Sequence, residues 1–182
     1  MITAFIIGLA TFLIYVIAIT IRFGVPSSLS DSFYLLKKAY SAYKLVPYLF
    51  TLVLWITSFT ILPVWLEYSN ESIQFLAFFA AAGLALVGAA PVFHNPFTHF
   101  GHVVGAWLAA VCGTLWAFLQ YISMYGLIGC SGILNIASVL ALTIILVYNM
   151  QNDNPRTKTF WAEMWAFAFI FISVGINLIL NY

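Results

Sequence analysis

Charge is scarce in this chain: six Lys/Arg and five Asp/Glu among 182 residues, 6% of the total, against about 25% in a soluble domain. So few charges cannot cover a surface that faces water. A net charge of +1 without clustered bases also excludes the footprint of a nucleic-acid-binding protein. Cysteine is scarcer still. Cys112 and Cys130 show no C-x-x-C spacing, which excludes a zinc knuckle or a disulfide framework and leaves them as small packing residues. No Gly-rich phosphate loop, nucleophile elbow or Ser-His-Asp order occurs. What fills the chain is apolar: 64% of residues are hydrophobic, 18% are aromatic, and mean hydropathy is +1.07.

Six runs reach the length of about 20 apolar residues that crosses a hydrocarbon core. They are residues 2–21, 47–66, 73–93, 100–121, 127–148 and 160–180. Each is continuous and about twice the length of a barrel strand, so the expected fold is all-α, a single polytopic bundle over 1–182 with six transmembrane helices. The first run reads as a retained anchor, because it is long, lacks a charged leader and is followed by Arg22. Arg22, Lys37, Lys38 and Lys44 fall between runs 1 and 2, and Arg156 and Lys158 between runs 5 and 6. Glu67 and Glu71 mark the opposite side, which has no base. The positive-inside rule then places both termini outside a bacterial inner or plasma membrane.

Residues 23–44 make the longest connection and carry a pattern of their own. Pro26, Ser27, Ser28 and Ser30 mark a turn, and Ser28 with Asp31 three residues on resembles a capping box. Leu29, Phe33, Leu36, Tyr40 and Tyr43 then recur at helical spacing, with Lys37, Lys38 and Lys44 largely off that stripe. This pattern predicts a basic amphipathic helix in the interface. Its stripe is expected to enter the acyl boundary and its lysines to meet anionic headgroups.

All three histidines lie in one segment, at His94, His99 and His102, between runs 3 and 4. Pro91 and Pro96 interrupt any helix there. From Thr98 onward His99 and His102 stand at i,i+3, a spacing that can aim two imidazoles at one Zn²⁺ ion, with His94 entering from the loop. Glu163 is an acidic residue inside an otherwise apolar run, which marks it as a candidate site residue. With Asp31 it supplies the general base a metal-bound water would need. Asp153 reads as a turn residue before Pro155.

The remaining features are structural. Gly101, Gly105 and Ala109 form a small-residue ridge on the fourth run, and Gly83 and Ala90 do the same on the third, so these two are expected to pack as a tight hairpin. Such ridges also pack helices between chains, which leaves a homo-oligomer open. Trp55, Trp65, Trp107, Trp116, Trp161 and Trp165 fall near run ends, as in an aromatic belt. Pro63 predicts a kink or a short unwound turn.

Two fragments carry a resemblance. Pro26-Ser27-Ser28-Leu29-Ser30-Asp31-Ser32 is similar to the Pro-x-Ile-Ser-Asp-x-Gly pattern of damage-regulated autophagy modulator-like membrane proteins, with Phe33 where Gly is expected. His102-x-x-Gly105-Ala106 resembles their His-x-x-Gly-Ala element. The resemblance implies six helices and a role in lipid organisation without an established catalytic centre. The leading expectation is therefore a lipid-interacting or scaffold protein whose partners are membrane lipids. A Zn²⁺-dependent lipid hydrolase, built on the histidines with Glu163 or Asp31, is the alternative. A small-solute channel or transporter ranks third.

Overall fold

The structure is a computed structural model that describes residues 1–89, 97–125 and 157–180, and every regular element among these is helical. In chain order they are α1 (Ile2–Phe23), α2 (Asp31–Ala39), α3 (Leu49–Glu67), α4 (Gln74–Ala89), α5 (Phe97–Tyr125) and α6 (Lys158–Leu180). Short 3-10 turns, Val46–Tyr48 and Glu71–Ile73, lead into α3 and α4. Five of the helices, α1, α3, α4, α5 and α6, are long and apolar enough to cross a membrane. The expected run 127–148 lies outside the described residues. We call the end that holds Arg22, Lys37, Lys38, Lys44 and Lys158 the basic end, and the end that holds Glu67 and Glu71 the acidic end.

These helices are apolar all round, so polarity does not choose their buried faces; shape does. On α1 the inward stripe is Gly8, Phe12, Tyr15 and Ile19, spaced four, three and four, while Ile6, Leu13, Ile14, Ile17 and Ile21 stay exposed. A Cβ on Gly8 would stand 2.6 Å from Thr60 Oγ1, so this glycine sets how closely α1 approaches α3. Helix α3 is the central element, in contact with α1, α4 and α6. It runs through Pro63 as one helix, so the unwound turn expected there does not form.

The tight hairpin is present. A Cβ on Gly83 of α4 would lie 2.5 Å from Ala109 N and 2.6 Å from Gly105 O, and one on Gly105 would lie 2.8 Å from Gly83 O. Backbone meets backbone here, and no larger residue fits without separating the helices. Gly101 plays no part in this packing, since a Cβ there would meet nothing within 4 Å. Ala90 lies outside the described residues.

The aromatic belt also needs correcting. Trp107, Trp161 and Trp165 are exposed, but Trp65 and Trp116 are buried against one another, ring centroids 5.3 Å apart and nearly perpendicular. Edge-to-face geometry aligns the positive edge of one ring with the negative face of the other. Trp55 is partly exposed, and its Nε1 donates to Ala85 O at 3.0 Å, tying α3 to α4.

Candidate functional site

At the basic end α1 stops at Gly24, whose φ of 77° and ψ of −175° suit glycine alone. The chain then turns beneath the bundle. Asp31 N–H donates to Ser28 Oγ at 3.2 Å, the hydroxyl half of the expected capping box. The acidic half departs from that motif, because the Asp31 carboxylate accepts from Ser27 Oγ at 2.8 Å. Asp31 is thereby a loop-ordering residue.

Helix α2 turns most of the expected stripe towards the protein. Leu29, Phe33 and Leu36 are buried in the protein core, and Tyr40 packs partly against it. Of the stripe, Tyr43 is exposed. The physical reason is a buried polar tie: Ser32 Oγ donates to Leu29 O at 2.5 Å and sits 2.6 Å from Tyr15 Oη. With its one proton committed to Leu29, Ser32 must accept from the tyrosine. That pair fixes α2 against α1 and turns the apolar stripe inward, so the exposed side of the segment is Tyr34, Lys37 and Lys38, with Lys44 beyond it.

The loop before α2 docks on the start of α6. Leu29 N–H donates to Glu163 Oε2 at 2.5 Å, and Phe160 N–H donates to Ser27 O at 3.1 Å. Glu163 is partly buried, and among the described residues Leu29 N–H is its hydrogen-bond partner and no basic side chain pairs with it. Glu163 and Asp31 are thus brought to one end of the bundle, where both hold the short segment 27–31.

Above this clasp lies a cavity of about 110 Å³. Glu163 and Ser30 stand at its basic end, and it is walled by Phe50, Leu54 and Phe167, with Trp65 among the residues towards the acidic end. The side provided by α5 consists of alanines, Ala106, Ala109 and Ala110. Their short side chains leave the space unfilled on that side, and Ala106 is exposed. Two polar groups of lining residues, Thr57 Oγ1 and Trp65 Nε1, are buried and have no hydrogen-bond partner among the described residues. Native interiors pair the large majority of buried side-chain polar groups, so these two call for an explanation.

The histidine cluster is only partly in view. His94 lies outside the described residues, His99 has its backbone in the first turn of α5, and His102 is half-buried on the next turn. Among the described residues no group of three or more His, Cys, Asp or Glu could hold a metal ion.

A polar network at the acidic end has no counterpart in the sequence reading. Gln120 of α5 accepts from Asn70 N–H at 2.9 Å and donates to Tyr68 O at 2.8 Å, while Asn70 Nδ2 donates to Ser123 Oγ at 3.1 Å. Gln120 Nε2 also reaches Asn177 Oδ1 of α6 at 3.4 Å. Trp116 Nε1 donates to Ser69 Oγ at 2.6 Å. The signal was available: Gln120 and Asn177 are amides inside otherwise apolar runs, a residue type that joins helices in hydrocarbon. No protein-family model matches this chain, and neither does any curated protein or solved structure.

Proposed function

We propose that this chain is a non-catalytic, lipid-interacting membrane protein that engages anionic headgroups through the exposed face of α2. The observation that carries the reading is the orientation of that helix. Its apolar side is committed to the core, so Lys37 and Lys38 are held outward on a rigid element, with Lys44 five residues past its end. A lysine fixed near an anionic surface gains about 1 kcal/mol, and pre-positioning spares the ordering cost that a floppy basic loop would bear. The excess of bases at this end favours the cytoplasmic leaflet for it, and the motif resemblance to lipid-organising proteins supports the same role.

The test is enrichment of anionic lipid around the protein in nanodiscs of mixed phosphatidylcholine and phosphatidylglycerol. Replacing Lys37, Lys38 and Lys44 together by Gln should remove up to about 3 kcal/mol of headgroup attraction, a loss of about a hundredfold in preference. Equal enrichment by wild type and variant would sink the reading.

A further inference from the structure

We infer that the cavity above Glu163 is a binding slot for a single-chain amphiphile with a protonated amine at its head, the ammonium at Glu163 and the chain running towards Trp65. This goes beyond headgroup recognition by the lysines, which concerns anions on the outer face of α2.

Three observations converge on it. The first is shape. On α3 the lining residues include Phe50, Leu54, Thr57, Ile61 and Trp65, spaced four, three, four and four, which is one face of the helix over about 22 Å at 1.5 Å per residue. Facing it, the lining of α6 runs from Glu163 to Phe171, about 12 Å, so the volume of about 110 Å³ is drawn out along these two helices and is narrow. An unbranched chain follows such a slot, whereas a ring system or a branched body does not.

The second is charge. A carboxylate among apolar side chains is costly unless it is paired. Glu163 has one backbone N–H from Leu29 and, among the described residues, no cation. An ionised carboxylate accepts at two oxygens, so a donor-bearing cation completes its partners. Phe50 and Phe167 line the same cavity, and aromatic faces tolerate an ammonium group better than aliphatic walls do.

The third is the wall itself. Thr57 is fully buried and Trp65 nearly so, both line the slot, and among the described residues neither Thr57 Oγ1 nor Trp65 Nε1 has a partner. Thr51 Oγ1 on the same helix is unpaired as well but does not line the slot, so of these groups Thr57 and Trp65 are the two that an occupant could reach. An oxygen function along an occupying chain would satisfy them.

The test uses the full chain purified in a maltoside detergent and titrated with 12-bromododecylammonium, whose terminal bromine quenches tryptophan at the far end of the slot. The matched alcohol and carboxylate of the same chain length are the controls. Saturable quenching by the ammonium compound at a concentration about tenfold lower than the alcohol is expected, the worth of one charge-assisted hydrogen bond. Glu163→Gln should erase that preference, and Trp65→Phe should remove most of the quenching without shifting the midpoint. Equal midpoints for ammonium and alcohol in the wild type would overturn the assignment, as would a preference that survives in Glu163→Gln. Leu54→Phe, which plugs the slot from α3, decides the matter if Glu163→Gln does not fold: preference retained with the slot plugged overturns the inference. Mass spectrometry of an organic extract identifies the source. An amine-headed lipid carried through purification places it in the bilayer, and binding of added probe alone places it in solution; both support the site.

Discussion

At the basic end one carboxylate, Glu163, holds the 24–31 loop through the N–H of Leu29, while at the acidic end a neutral amide, Gln120, both accepts from Asn70 N–H and donates to Tyr68 O. The two closures do the same mechanical task with opposite consequences. A carboxylate only accepts, so pinning a loop by one N–H leaves accepting capacity directed at the neighbouring cavity. An amide carries both functions, so Gln120 satisfies a turn on each side without charge, and Asn177 extends the joint to α6. One end of this bundle is a rivet; the other is a clasp with chemistry to spare.

Substitutions can separate these roles, with hydrogen exchange of the two ends and thermal unfolding in detergent as readouts. Gly83→Leu should have the largest effect, about 3 kcal/mol or more, because it drives side-chain atoms into the backbone of α5 and loosens both ends together. Gln120→Leu should cost about 2–4 kcal/mol, since it strands Asn70 N–H and Tyr68 O. Exchange should then accelerate at 68–72 and stay unchanged at 24–31. Glu163→Ala should reverse that pattern at about 1–3 kcal/mol, by stranding the Leu29 N–H. If either substitution loosens both ends equally, the contrast between rivet and clasp is wrong. A double-mutant cycle on Tyr15→Phe and Ser32→Ala should return a coupling of about 1 kcal/mol for the buried pair. Smallest of all, the triple Lys37/Lys38/Lys44→Gln variant should shift stability by under about 0.5 kcal/mol while changing lipid preference, because these side chains are exposed.

The helical class, four of the six spans and the Gly83–Gly105 contact were legible because they depend on local properties: length, polarity and side-chain size. The expected run 73–93 begins one residue before α4, and its last residues lie outside the described set. The inward turn of α2 was not legible. An apolar stripe beside lysines has the same periodicity whether it faces lipid or protein, and what decides is the pairing of Ser32 with Tyr15, a contact across 17 residues. Trp65 and Trp116 misled for a related reason. Position near a span end is shared by belt residues and by core residues of the end layer, and only the partner ring and Ser69 tell them apart. Glu163 was legible as an oddity of composition. Its partner Leu29 N–H was not, because backbone donors leave no trace in a sequence. The cavity was hidden for a subtler reason, since alanines that form a ridge for one neighbour leave a gap towards another.

The clasp joins Leu29 to a residue 134 positions later in the chain. During synthesis at about 5–20 residues per second, the loop emerges on the order of ten seconds before the carboxylate that will hold it. For that interval the N–H of Leu29 has no Glu163 to meet, and α2 is retained by Tyr15 and its own apolar side. A helix made much later is therefore the one that closes the 24–31 loop, and the basic end is fastened only once α6 has been made.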